Sequence, residues 1–148
     1  IFTTKTTPFK VGSAQILKYG DDVTLISCGP IVYEVLKAAR ELKLKYRIEA
    51  EVINSHTIKP LDKDTIIESA KKTGRVVTVE EHQITGGLGG AVSEMLAEHF
   101  PAYVHKIGLE DTFAESGDYS NLIKKYGLDS SSLVQRVKSL VLSARAKK

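Results

Sequence analysis

The sequence predicts an α/β domain of three layers, with helices on both faces of a mostly parallel sheet of about five strands and one antiparallel strand at its edge. Two runs, Val23-Thr24-Leu25-Ile26-Ser27 and Val76-Val77-Thr78-Val79, are apolar and β-branched almost without a break, as strands covered on both faces are. Each leads into a segment whose apolar residues recur at three and four, the period of a helix packed along one side. Strand and helix in alternation imply right-handed crossovers and parallel pairing. A chain of 148 residues is expected to form one core.

Residues 1–10, with several threonines, two lysines and Pro8, read as an extended linker from a preceding domain, and residues 11–148 as the domain itself. The chain opens at Ile1 and its only methionine is Met95, so it is expected to be a piece of a longer protein. Residues 12–19 are the antiparallel edge strand, closed by the turn Gly20-Asp21-Asp22. Residues 23–27 are the second strand, broken by Cys28-Gly29-Pro30, after which Val32, Val35, Leu36, Ala39 and Leu42 mark a helix with Pro30 near its start, where a missing donor costs little. Residues 48–53 form the third strand, 54–60 a loop, and 62–72 a helix that Asp62 can cap and Gly74 can end. The fourth strand spans 75–81 with its helix at 87–100, and the fifth strand spans 104–108. A short helix at 120–126 and a last one from Ser130, striped by Leu133, Val134, Val137, Leu140, Val141 and Ala144, complete the chain.

Composition narrows the function classes. The formal charge is +3, and much of the excess sits at Arg145, Lys147 and Lys148 rather than on a face interleaved with aromatics, so nucleic acid is not the expected partner. No apolar run approaches the roughly 20 residues of a membrane span, and the start lacks a signal-peptide pattern. A single cysteine, Cys28, cannot form an internal disulfide. With no targeting pattern, a reducing, cytoplasmic location is expected.

Ligands in open parallel sheets favour the crevice outside the carboxyl ends of the strands. Those ends gather Cys28, His56, Glu80, Glu81 and His82 with the region 108–111, a set that zinc or acid-base chemistry could use. No local C-x-x-C or H-E-x-x-H spacing supports a metal, and the alternative is a polar edge whose histidines bond to backbone or to an adjoining domain. The turn Gly86-Gly87-Leu88-Gly89-Gly90 precedes a helix and could cradle phosphate, yet Val92 stands where a third fingerprint glycine belongs; close packing of helix on strand is the plainer role. Glu80 and Glu81 are neighbours on a strand and point to opposite faces, so at most one serves any site. Cys28 is either a nucleophile with a histidine base or a buried, inert thiol. Phe113 stands alone as an apolar anchor in the polar loop 111–117.

In order, Pro8-Phe9-Lys10-Val11-Gly12, Ile58-Lys59-Pro60-Leu61-Asp62, Val79-Glu80-Glu81-His82 with Gly86-Gly87-Leu88-Gly89, Phe113-Ala114-Glu115-Ser116-Gly117 and Tyr126-Gly127-Leu128 resemble the carboxyl-terminal domain of transketolase and its thiamine-diphosphate relatives, along essentially the whole chain. The resemblance implies a part in ketol transfer between sugar phosphates in the pentose phosphate pathway, with thiamine diphosphate and Mg2+ held elsewhere in the enzyme. The family's cofactor motif, Gly-Asp-Gly, has no match here, where Gly20-Asp21-Asp22 and Ser116-Gly117-Asp118 are the nearest sequences. No catalytic, cofactor-binding or metal-binding residue is therefore assigned. The implied partners are the amino-terminal and middle domains of a transketolase, in the same chain or a separate subunit, within a homodimer, and Glu81, His82, Gly86 and Gly87 are expected to face that neighbour. The same elements resemble those of 1-deoxyxylulose-5-phosphate synthase, which condenses pyruvate with a triose phosphate, and of a 2-oxo acid dehydrogenase beta subunit, where the domain docks an acyltransferase core. A stand-alone ligand or metal sensor is the remaining reading of the sheet edge.

Overall fold

A computed structural model describes residues 4–146. Five strands, β1 (Gln15–Lys18), β2 (Val23–Ser27), β3 (Ala50–Asn54), β4 (Val76–Gln83) and β5 (Val104–Leu109), make one sheet in the order β1-β3-β2-β4-β5. β1 runs antiparallel to β3, and every other pairing is parallel. Val23, Leu25, Val52, Val77, Val79 and Ile107 share a core with α1 (Val32–Tyr46), α4 (Tyr119–Lys125) and α5 (Ser130–Arg145). Ile26, Ile53 and Val76 share the opposite one with α2 (Lys63–Thr73) and α3 (Leu88–His99). The predicted three-layer α/β fold, antiparallel edge strand included, is what the chain adopts.

Local chemistry sets the ends of the elements. Asp62 accepts from the Thr65 amide at the start of α2, and Gly74 closes that helix at φ 65°, a conformation that costs glycine little. Pro30 lies just before Ile31, the residue capping α1. The edge strand is shorter than expected because distant side chains claim its first amides. Gly12 N–H donates to Thr57 Oγ1 at 3.0 Å and Ala14 N–H to Asp62 Oδ2 at 2.7 Å, docking this stretch on the β3–α2 loop instead of on the ladder. Its predecessor begins with a turn, Thr7 N–H donating to the Thr4 carbonyl. Ile1 to Thr3 of the expected linker, and Lys147 and Lys148 of the basic end, lie outside the described residues. Among the described residues no helix is long and apolar enough to cross a membrane.

His105, on β5, gives the fold a pH dependence. Burial, and then the Arg136 charge, hold its imidazole below the ordinary value, with Glu110 pulling the other way. The unfolded chain therefore binds a proton at His105 more readily than the folded one does. Stability is full above the ordinary histidine value of about 6.5 and falls as pH drops below it toward the folded value. Urea midpoints measured between pH 7.5 and pH 5.5 are expected to decline in that sense, and His105→Gln to flatten the slope.

Candidate functional site

The carboxyl ends of β2, β3 and β4 bring Cys28, Glu80 and Glu81 to one side of the domain, as the parallel register requires. Glu80 and Glu81 diverge across the sheet. Glu80 is buried, with 1% of its surface exposed, and turns toward α3. Its Oε2 accepts from Leu88 N–H at 2.7 Å and its Oε1 from Gly89 N–H at 2.9 Å. Amides at a helix start that could have received a phosphate are thus taken by the protein's own carboxyl group. Gly87 caps the helix in extended geometry, and a methyl added there would overlap Glu80 Oε2 and stand 2.9 Å from its Cδ. At Gly89 a methyl would meet Thr78 Oγ1 at 2.7 Å and Lys106 at 2.8 Å. The glycine turn packs a helix against β4 and β5; it is not an open cradle.

Glu81 faces the other way. It lies beside Gly29, near enough to Tyr119 at the start of α4 for its charge to act on that hydroxyl. Burial first, and then the Glu81 carboxyl group near it, hold the Tyr119 hydroxyl above its ordinary value. Burial, with the charges of Glu80 and Glu81 beside it, also pushes the Cys28 thiol up. A thiol in such surroundings is a poor nucleophile, which favours the inert reading of Cys28. His56 bonds to the Lys10 carbonyl at 3.2 Å and stacks on Phe9 with ring centroids 4.5 Å apart, so it serves the docked leading segment. Among the described residues no three His, Cys, Asp or Glu side chains are grouped so as to hold a metal ion.

His82 and Gly86 are exposed, whereas Glu81 and Gly87 are half-buried. The loop after β5 stands beside them: Gln83 Nε2 donates to the Thr112 carbonyl at 2.7 Å. Glu115 N–H donates to the Tyr126 hydroxyl at 2.9 Å, and Lys125 pairs with the Glu115 carboxylate at 2.6 Å. Phe113 rides on this tethered loop wholly exposed. Two functional features escape sequence reasoning. One is the Glu80 cap, signalled only by a carboxyl residue ending an apolar strand shortly before a glycine-rich helix start. The other is Gly108, where a methyl would stand 2.6 Å from the His82 carbonyl.

Comparison with known proteins gives this arrangement a family. The family described as "Transketolase, C-terminal domain" matches residues 12–133. The 6-deoxy-6-sulfo-D-fructose transketolase subunit SqwH of Clostridium sp. (strain MSTE9) is 42% identical over 127 residues, covering 86% of this chain and 39% of that protein. The 1-deoxy-D-xylulose-5-phosphate synthase of Heliobacterium modesticaldum is 37% identical over 142 residues, covering 95% of this chain and 22% of the synthase. A solved structure of a split-gene transketolase, an inactive beta4 tetramer, superposes with a TM-score of 0.87 at 38% identity, over 95% of this chain and 46% of that one. The chain therefore spans less than half the length of each of these relatives. It belongs to the transketolase C-terminal domain family.

Proposed function

We propose that this domain is the carboxyl-terminal section of a thiamine-diphosphate-dependent ketol transferase of the transketolase kind, a cytoplasmic enzyme of sugar-phosphate metabolism, and that it shapes and supports the enzyme without holding the cofactor. The observation that carries this is the engagement of Glu80 with Leu88 N–H and Gly89 N–H. The residues here do not fit a diphosphate: the glycine-rich helix start has its first buried amides filled, and a carboxyl group beside them would repel an anion. Thiamine diphosphate and its Mg2+ then belong to the amino-terminal and middle domains. Glu81, His82, Gly86 and Gly87 face that neighbour within a homodimer, with the exposed Phe113 beside them. A fully exposed phenylalanine on a tethered loop, next to exposed His82 and Gly86, supports an interface at this edge.

Calorimetric titration of the chain with thiamine diphosphate and Mg2+ is expected to give no binding heat. Saturable binding with about micromolar affinity would overturn the proposal. The similarity to the Heliobacterium synthase supports a second reading, 1-deoxyxylulose-5-phosphate synthesis. The two separate on substrate: the assembled enzyme either passes a two-carbon unit from a ketose phosphate to an aldose phosphate, or condenses pyruvate with a triose phosphate and releases carbon dioxide.

A further inference from the structure

At the opposite, amino-terminal edge of the sheet lies a groove of about 650 Å3. Val23, Val76 and Val77 at the starts of β2 and β4 lie at its base, each no more than 2% exposed, and the α2–β4 turn and the last turns of α5 stand around them. The volume falls within the roughly 300–1,000 Å3 range of small-molecule sites. Lys71, Lys72, Arg75 and His105 line it, and among the described residues no carboxylate does.

The nearby acids are committed elsewhere. Lys72 is bonded to the fully buried Glu51, which removes it from consideration. Asp22, close enough to feel the Arg75 charge, accepts from Arg145 at 2.6 Å and from Glu49 N–H at 2.7 Å. Arg75 is left under-used. Among the described residues its Nε is enclosed without an acceptor, and its Nη1 reaches only the Asp22 and Thr73 carbonyls, each at 3.4 Å. Among the described residues no carboxylate comes within ion-pair distance of it or of Lys71. Tyr103, 76% exposed, lines the same groove, as do Leu140 and Ala144 of α5.

We propose that this groove is a ligand site for a mononucleotide, its phosphate held by Arg75 and Lys71 and its base laid against Tyr103. A guanidinium presents a planar fork that matches phosphate oxygens, and an aromatic ring stacks on a base whatever its identity. An exposed aromatic ring with cations at the α2–β4 turn suits a ligand with one flat and one anionic end. Inorganic phosphate would leave the ring unused, and a nucleoside would leave Arg75 as it is. The site lies across the sheet from the edge assigned to the neighbouring domain, and the proposal does not rest on that assignment.

Calorimetric titration with AMP, inorganic phosphate and adenosine tests it. AMP is expected to bind with a dissociation constant of about 1 mM or tighter, with phosphate and adenosine each at least about tenfold weaker. Arg75→Gln is expected to weaken AMP by about tenfold or more. Tyr103→Ala, at an exposed side chain whose loss leaves the core intact, is expected to weaken it by about tenfold. Absence of saturable AMP binding, AMP affinity unchanged in Tyr103→Ala, or phosphate binding as tightly as AMP would each overturn it.

Discussion

Replacing Glu80 by alanine is expected to cost the domain about 3–5 kcal/mol, measured as a loss of urea-unfolding free energy with the m-value unchanged. Glu80 is almost wholly enclosed, and both carboxyl oxygens accept from amides that are themselves buried at Leu88 and Gly89. Removing the acceptor leaves two donors without partners, and each buried orphan costs about 1–3 kcal/mol. The start of α3 also loses the negative group that complements its dipole. Glu80→Gln keeps one oxygen but turns an amide NH2 toward an N–H, so its cost is expected to be smaller, about 2 kcal/mol. A domain of this size has about 5–15 kcal/mol in all, so Glu80→Ala is expected to unfold a large fraction of it under mild denaturant. Were Glu80 instead a proton carrier at a reactive edge, alanine there would leave stability nearly unchanged, and the urea midpoint decides between the two.

What the sequence disclosed and what it hid divide by distance along the chain. Asp62 and Gly74 were legible as the ends of α2 because a cap reaches only a few residues, and both sit where the local rules place them. The parallel order was legible because apolar runs and helical periods alternate. The start of the first strand was not: Gly12 and Ala14 lose their amides to Thr57 and Asp62, which lie 45 and 48 residues on. β4 runs on to Gln83, past the charged tip, because Gln83 pairs with Leu109 after a break in register that no pattern in Glu80-Glu81-His82 announces. At the candidate site the opposed directions of Glu80 and Glu81 follow from strand geometry alone. What each side chain meets does not, since Leu88, Gly89 and Tyr119 reach them only through the fold.

Gly87→Ala is expected to cost nearly as much as Glu80→Ala, and for the same reason. Gly87 lies at φ −96°, which any residue adopts, so the backbone would accept a side chain. The obstacle is Glu80: an alanine methyl would overlap Oε2 and stand 2.9 Å from Cδ, with the Gln83 carbonyl farther off at 3.1 Å. Relief means swinging the carboxyl group off Leu88 N–H and Gly89 N–H, with no room to do so in a packed core. The single substitution is thus expected to cost about 3 kcal/mol. In a chain that already carries Glu80→Ala the blocking atoms are gone, and the same methyl is expected to cost less than about 1 kcal/mol. The double-mutant cycle therefore predicts a coupling of about 2–3 kcal/mol, read as the shortfall of the double variant from the sum of the singles. Additive losses would mean that the glycine serves the turn alone; a strong coupling means that Gly87 and Glu80 form one device, a glycine kept bare so that a buried carboxyl group can fill the helix start.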